Sequence, residues 1–165
     1  LAMNLYVLGF NNVKQLTPVN DAIKTNLKNY LDYYRILTDA VNIKDAFIIN
    51  IGIDFEITVR SNYNSNEVLL SCIDAVRSYF NIDKWQINQP IVKADVLNLL
   101  GNITGVQSVV GIKFNNLFDR TQNYAENPYD LETATRKGII YPSLDPSIFE
   151  IKFPDKDIKG KTTNY

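Results

Sequence analysis

Asp54 and Glu56 are the first residues in this chain whose type and spacing could do chemistry. They stand two apart in FIINIGIDFEITVR, Phe47 to Arg60, so on a strand both carboxylates leave one face about 7 Å apart, a separation that paired-carboxylate hydrolysis can use. The same face carries Asn50, Thr58 and Arg60, and a polar face opposite an apolar one is what a half-buried strand shows whatever it does. The solvated strand face is the reading taken. Cys72 is a possible nucleophile, but it falls on the apolar stripe of a helix and the chain has no histidine to activate it, so a small core residue is expected. Gly101 to Gly105 (GNITG) sets two glycines before a strand. Phosphate loops follow a strand and open a helix, the reverse order, so a helix C-cap and tight turn are expected. Asp155 to Lys161 (DKDIKGK) has alternating acids and a glycine at the sixth place, as a calcium loop would, yet Lys159 occupies the place of the third oxygen ligand. It reads as a solvated charged tail.

Composition narrows the chemistry further. The 165 residues are 45% apolar and 21% charged with a net charge of −1, the profile of one folded domain with no electrostatic pull toward nucleic acid or anionic membrane. A single cysteine rules out an internal disulfide framework and a cysteine zinc site. With no histidine, Ser-His-Asp and Cys-His catalysis and His-ligated metals are excluded. No apolar run approaches the roughly 20 residues that span a bilayer, and LAMNLYVLGF lacks the basic start and cleavage site of a signal peptide. The chain reads as soluble and unsecreted, and its first residue, Leu1 rather than Met, suggests a piece of a longer protein.

The elements that must position these residues follow from periodicity. Leu5 to Phe10 suits a brief strand. Thr17 as N-cap and Pro18 at the first helical position announce a helix; its stripe is Val19, Ala22, Ile23, Leu27, Tyr30, Leu31 and Tyr34, ending near Arg35. Ile36 to Ile43 is a transition with a turn or bulge at Thr38-Asp39. From Phe47 to Val59 every odd position is apolar, which specifies a long strand with one buried face. Asn64 and Glu67 form a capping-box pattern before a second helix whose stripe is Val68, Leu69, Cys72, Ile73, Val76, Tyr79 and Phe80. Trp85 lies in a connection, Pro90 to Gly101 suggests a shorter third helix, and Gly105 opens a final core strand, VQSVVGIKF. The order predicts an α+β fold: a mostly antiparallel or mixed sheet with two to three helices on one face, over residues 1–114. Residues 115–165 turn polar, with Pro128, Pro142, Pro146 and Pro154 and one short strand near 148–153. This irregular extension is expected to wrap over its own core or over a neighbour.

The aromatic residues divide along the same line. Tyr6, Tyr30, Tyr33, Tyr34, Tyr63 and Tyr79 fall in or near core elements, while Tyr124, Tyr129, Tyr141 and Tyr165 lie in the extension with Phe149 and Phe153. Tyr124, Tyr129, Tyr141, Phe149 and Phe153 are therefore the candidate interface residues, since rigid amphipathic rings bury area at low entropic cost. Anchoring of the extension to its own core is the competing account.

The run YYRILTDAVNIKDAFIINIGIDFEITV, the helix NSNEVLLSCIDAVRSYF and the segment WQINQPIVKADVLNLLGNITGVQSV together resemble baseplate wedge proteins of contractile-tailed, T-even-type bacteriophages, in the wider baseplate J-like family. The matching positions are Leu37-Thr38-Asp39, Asp54 to Val59, Tyr79-Phe80, Trp85, Gln89-Pro90-Ile91 and Gly105-Val106, and GIIYPSLDPSIFEIKFP is similar to the close of such chains. Asn88 departs from the pattern, which has glycine before Gln-Pro. The resemblance implies a non-enzymatic structural subunit of the virion tail baseplate, assembled in the host cytoplasm. Its partners would be further copies of itself, as homodimer or higher homo-oligomer, and other baseplate proteins, with no cofactor, nucleic acid or membrane. Two other readings stay open beside it: a small-ligand-binding regulatory α+β domain, and a carboxylate enzyme built on Asp54 and Glu56.

Overall fold

The computed structural model describes residues 2–34 and 40–163. Strand β1 (Ala2–Val7) leads into a hairpin of β2 (Gly9–Phe10) and β3 (Leu16–Thr17), then helix α1 (Asp21–Asp32) and strand β4 (Ala40–Asp45). After Ala46 the long strand β5 (Phe47–Val59) is followed by α2 (Ser65–Tyr79), β6 (Ile91–Val92), α3 (Lys93–Gly101) and β7 (Val106–Asn116). The last third holds β8 (Thr135–Arg136), β9 (Ile139–Ile140), β10 (Ser147–Glu150), the single turn α4 (Pro154–Asp157) and β11 (Ile158–Thr162). The α+β class follows, with a mixed central sheet: β7 runs antiparallel to β5, and β10 and β11 run parallel to it.

Strands β10 and β11 lie end to end along one edge of β5. The Phe47 N–H donates to the Pro146 carbonyl and the Ile57 carbonyl accepts from Thr163 N–H on that edge, whereas the Asn50 carbonyl, of opposite parity, accepts from Leu117 N–H on the β7 side. On β7 the register passes from Gly111 to Val109 and from Ser108 to Val106, so Val110 and Gln107 are bulge residues without a partner on β5. Helices α2 and α3 pack over β11 and β7 and cover the odd residues of β5. Ile49, Ile51, Ile53, Phe55 and Ile57 are all buried there with Val68, Cys72, Val76, Val96 and Leu100. At Gly160 an added Cβ would stand 2.4 Å from the Phe55 ring and 2.7 Å from Leu69; the glycine lets α2 close onto the sheet.

The even face of β5 is not wet, contrary to the sequence expectation. Asn50 is 1% exposed, and its side chain donates to Glu150 Oε1 at 2.9 Å and accepts from Ala125 N–H at 2.7 Å. Glu150 Oε2 accepts from Leu16 N–H at 2.6 Å, so one buried carboxylate joins β10, β5 and the β2–β3 hairpin. Gly52 lies under Leu117 and the Asp157 carbonyl, and Tyr124 donates to Asp157 Oδ1 at 2.6 Å. Residues 115–163 thus pack on their own core: they supply two strands of the central sheet and roof its second face. The strand expected near 148–153 stops at Glu150, where the chain turns toward α4.

The first helix also starts later than its sequence signals. Leu16 and Thr17 are used as β3 opposite β2, and Asn20 is the cap, accepting from Ala22 N–H at 2.7 Å. Helix α1 packs not on the central sheet but on the parallel pair β1–β4, with Lys24, Leu27 and Leu31 inward and Lys24 Nζ 2.5 Å from Asp45 Oδ2. It contains no buried residue. The expected helix end near Arg35, the Thr38-Asp39 turn and Tyr165 lie outside the described residues. The second helix opens at Asn64, whose side chain accepts from Asn66 and Glu67 N–H at 3.0 and 3.4 Å, as its capping pattern predicts.

Candidate functional site

Asp54 and Glu56 stand where the roof over the even face stops. In register beside Asp54 are Lys113 on β7 and Lys159 on β11, and beside Glu56 are Gly111 and Lys161. These side chains line an open groove of about 540 Å³. Asp54 Oδ2 accepts from Asn115 Nδ2 at 2.7 Å. Glu56 accepts from the Thr163 hydroxyl and lies 3.2 Å from Lys161 Nζ. The Thr163 hydrogen bond, then Lys161, holds the Glu56 carboxyl below its ordinary range. An acid–base pair needs one carboxyl kept protonated by burial or by a like charge. Glu56 is pushed the other way, and both groups already accept hydrogen bonds from neighbours. The arrangement is a cross-strand charge ladder on an open sheet face, with lysines in register beside both carboxylates and Glu56–Lys161 as its ion pair.

Each remaining chemical motif is absorbed by packing. Cys72 is fully buried and burial pushes its thiol up to about 11, the reverse of an activated nucleophile. Gly105 adopts φ +96°, and a Cβ there would stand 2.6 Å from Val68; the glycines close a helix-to-strand turn. Asp155 pairs with Arg77 and Asp157 with Tyr124, each on or beside the single turn α4, and no group of three or more metal-capable side chains occurs among the described residues. The residues expected to be a solvated tail include β11, which pairs with β5 while Lys159 and Lys161 stay exposed.

The five aromatic candidates divide unequally. Tyr124 and Phe149 are 6% and 1% exposed, packed within their own chain. Tyr124 stacks edge-on to Phe153 at 5.5 Å, and Tyr129 lies 6.2 Å from Phe149 with its hydroxyl donating to the Tyr141 carbonyl at 2.6 Å. Only Tyr141 is open to solvent. The three most exposed rings lie instead on and just beyond α1, where Tyr33, Tyr34 and Tyr30 are 87%, 74% and 58% exposed, on the helix that also exposes Ile23. The sequence did carry a signal for this: the α1 stripe, Ile23, Leu27, Tyr30, Leu31 and Tyr34, is wider than one two-stranded sheet covers. Exposed apolar and aromatic side chains gathered on one element, with Tyr30 and Tyr34 in contact, mark a site of association. No protein-family model matches the chain, and no curated protein matches its sequence.

Proposed function

We propose that this chain is an assembly subunit, a baseplate wedge protein of a contractile-tailed phage that joins copies of itself and other baseplate proteins in the virion tail and performs no catalysis. The observation that carries the assembly reading is the N-terminal unit β1–α1–β4, whose helix buries no residue and whose tyrosines face solvent. A two-stranded sheet is marginal unless something packs on it; α1, which buries no residue, covers this one only partly, and such a unit gains most from a neighbour. The wedge-type wording of the sequence supports the baseplate assignment. At Asn88, where that wording has glycine, the backbone sits at φ 64°, the left-handed conformation that glycine takes freely and asparagine tolerates best. Light scattering across a concentration series tests the reading: a dimer or larger species at micromolar concentration is expected, and a monomer persisting to millimolar overturns it.

A further inference from the structure

We propose that the solvent side of α1 is a homotypic docking surface, through which two copies of this chain pair by antiparallel α1 helices seamed on Ile23, Leu27, Tyr30 and Tyr34. The inference rests on the assembly reading and names its contact. Ile23, Leu27 and Tyr30 on α1 and Tyr34 in the turn that follows it stand at spacings of four, three and four, the a/d spacing by which one helix seats side chains between those of another. At 100° per residue Ile23, Tyr30 and Tyr34 lie about 90° around the helix from Lys24 and Leu31, the side that meets β4, so the sheet leaves these three free, and half-buried Leu27 stands at the border of the two faces. The seam carries no charge.

The area suits a pair. An aromatic side chain presents about 150–250 Å²; at the exposures of Tyr30, Tyr33, Tyr34 and Ile23 the surface amounts to roughly 500 Å² per copy, against about 800 Å² per partner in a stable complex. That predicts micromolar rather than nanomolar association unless neighbouring surfaces join. Tyr30 and Tyr34 already contact each other, ring centroids 5.1 Å apart, so part of the ordering cost is met before docking. A two-fold antiparallel register that sets Leu27 against the second copy's Tyr30 also places Tyr33 beside the second copy's Asn26, and both are exposed on the flank away from β4. The other open surfaces suit self-association less. The free edge of β7 is interrupted by bulges at Gln107 and Val110, a feature that discourages strand addition, and the groove at Asp54 and Glu56 is lined by three lysines.

Sedimentation equilibrium on the wild-type chain, Tyr30→Glu, Tyr33→Glu and the double variant Asn26→Lys/Tyr33→Glu tests this, with circular dichroism melts as the folding control. At a concentration where the wild type is monomeric the melts should be unchanged, since Tyr30 and Tyr33 are solvent-exposed. Tyr30→Glu, which acts twice per dimer, should raise the dissociation constant about 30-fold or more, the effect of losing an interface hot spot. Tyr33→Glu should weaken association less, and adding Asn26→Lys should recover it, because the new ammonium and carboxylate face each other across the two-fold. An unchanged dissociation constant in Tyr30→Glu overturns the inference and leaves the assembly reading standing. Failure of the double variant to recover overturns the antiparallel pairing. A monomeric wild type up to millimolar overturns inference and assembly reading together.

Discussion

Replacing Asn50 by Leu should cost this protein a large part of its stability although the new residue is apolar, branched at the same carbon and placed in a core. Asn50 Nδ2 donates to the buried Glu150 carboxylate and Asn50 Oδ1 accepts from Ala125 N–H. A hydrogen bond to a charged group contributes about 1.5–3 kcal/mol, and an orphaned buried N–H costs about 1–3 kcal/mol. The two losses together give about 3–5 kcal/mol, offset by about 1 kcal/mol of added apolar burial. For a domain with roughly 5–15 kcal/mol in total, the urea midpoint should fall markedly at constant slope. Removing Glu150 at the same time, as Asn50→Leu/Glu150→Met, should cost less than the two single changes added, because each change strands the other's partner. A loss below about 1 kcal/mol for Asn50→Leu, or strict additivity in the double, refutes the claim that these residues form one buried network.

Two further outcomes follow from burial on the opposite face and from the same carboxylate. Ile53→Asp sets an unpaired charge at a position with no solvent exposure and should unfold the chain, seen as loss of the cooperative melt; a folded variant melting within a few degrees of wild type contradicts the assignment of β5 as the central strand. Burial is the main cause that raises the Glu150 carboxyl above its ordinary 4.5, against the opposing pull of Leu16 N–H, Asn50 and Lys152. A raised folded value means that the native state holds this proton more tightly than the unfolded chain does. Its contribution is full below 4.5 and is lost as pH rises through the raised value. Relative to Glu150→Gln, wild type should therefore gain stability as pH falls from neutral toward 4.5 in urea titrations, and a relative loss over that window would falsify the sign.

Local pattern made β5 and α2 legible. Alternation from Phe47 to Val59 and the Asn64 cap depend on neighbours in sequence, and both elements stand where those signals put them. The α+β class followed from them. What could not be read is what distant segments do. Thr17-Pro18 is a sound helix start until Leu16 is claimed by the Glu150 carboxylate and the β2 strand, and Ile91-Val92 extends a helical stripe until β9 pairs with it. The charged run DIKGK gives no strand signal because its partner, Ile53–Ile57, lies about a hundred residues earlier and contacts are made through the backbone. Asn50 looked solvated for the same reason: the atoms that bury it belong to residues 125 and 150. For the candidate site, the local grounds for setting aside Cys72 and GNITG hold in the fold, whereas DKDIKGK, which reads as a solvated tail, enters β11 and most of the even face of β5 is roofed; the tyrosines sort by segment in the sequence, and burial sorts them almost the other way.

The position of β10 and β11 has a consequence for how the chain comes into being. Ser147 pairs with Phe47 and Thr162 with Ile57, so one whole edge of the isoleucine-rich β5 waits for about a hundred more residues. At ribosomal rates of about 5–20 residues per second this is an interval of roughly 5–20 s. Throughout it, FIINIGI is an uncharged, proline-free strand of high β-propensity with an open edge, the composition that nucleates intermolecular cross-β pairing. Nascent or truncated chains that stop before residue 147 should accumulate as aggregates rather than as soluble domains, and the segment from Ser147 to Thr162 serves, besides its place in the sheet, as the chain's own guard against that pairing.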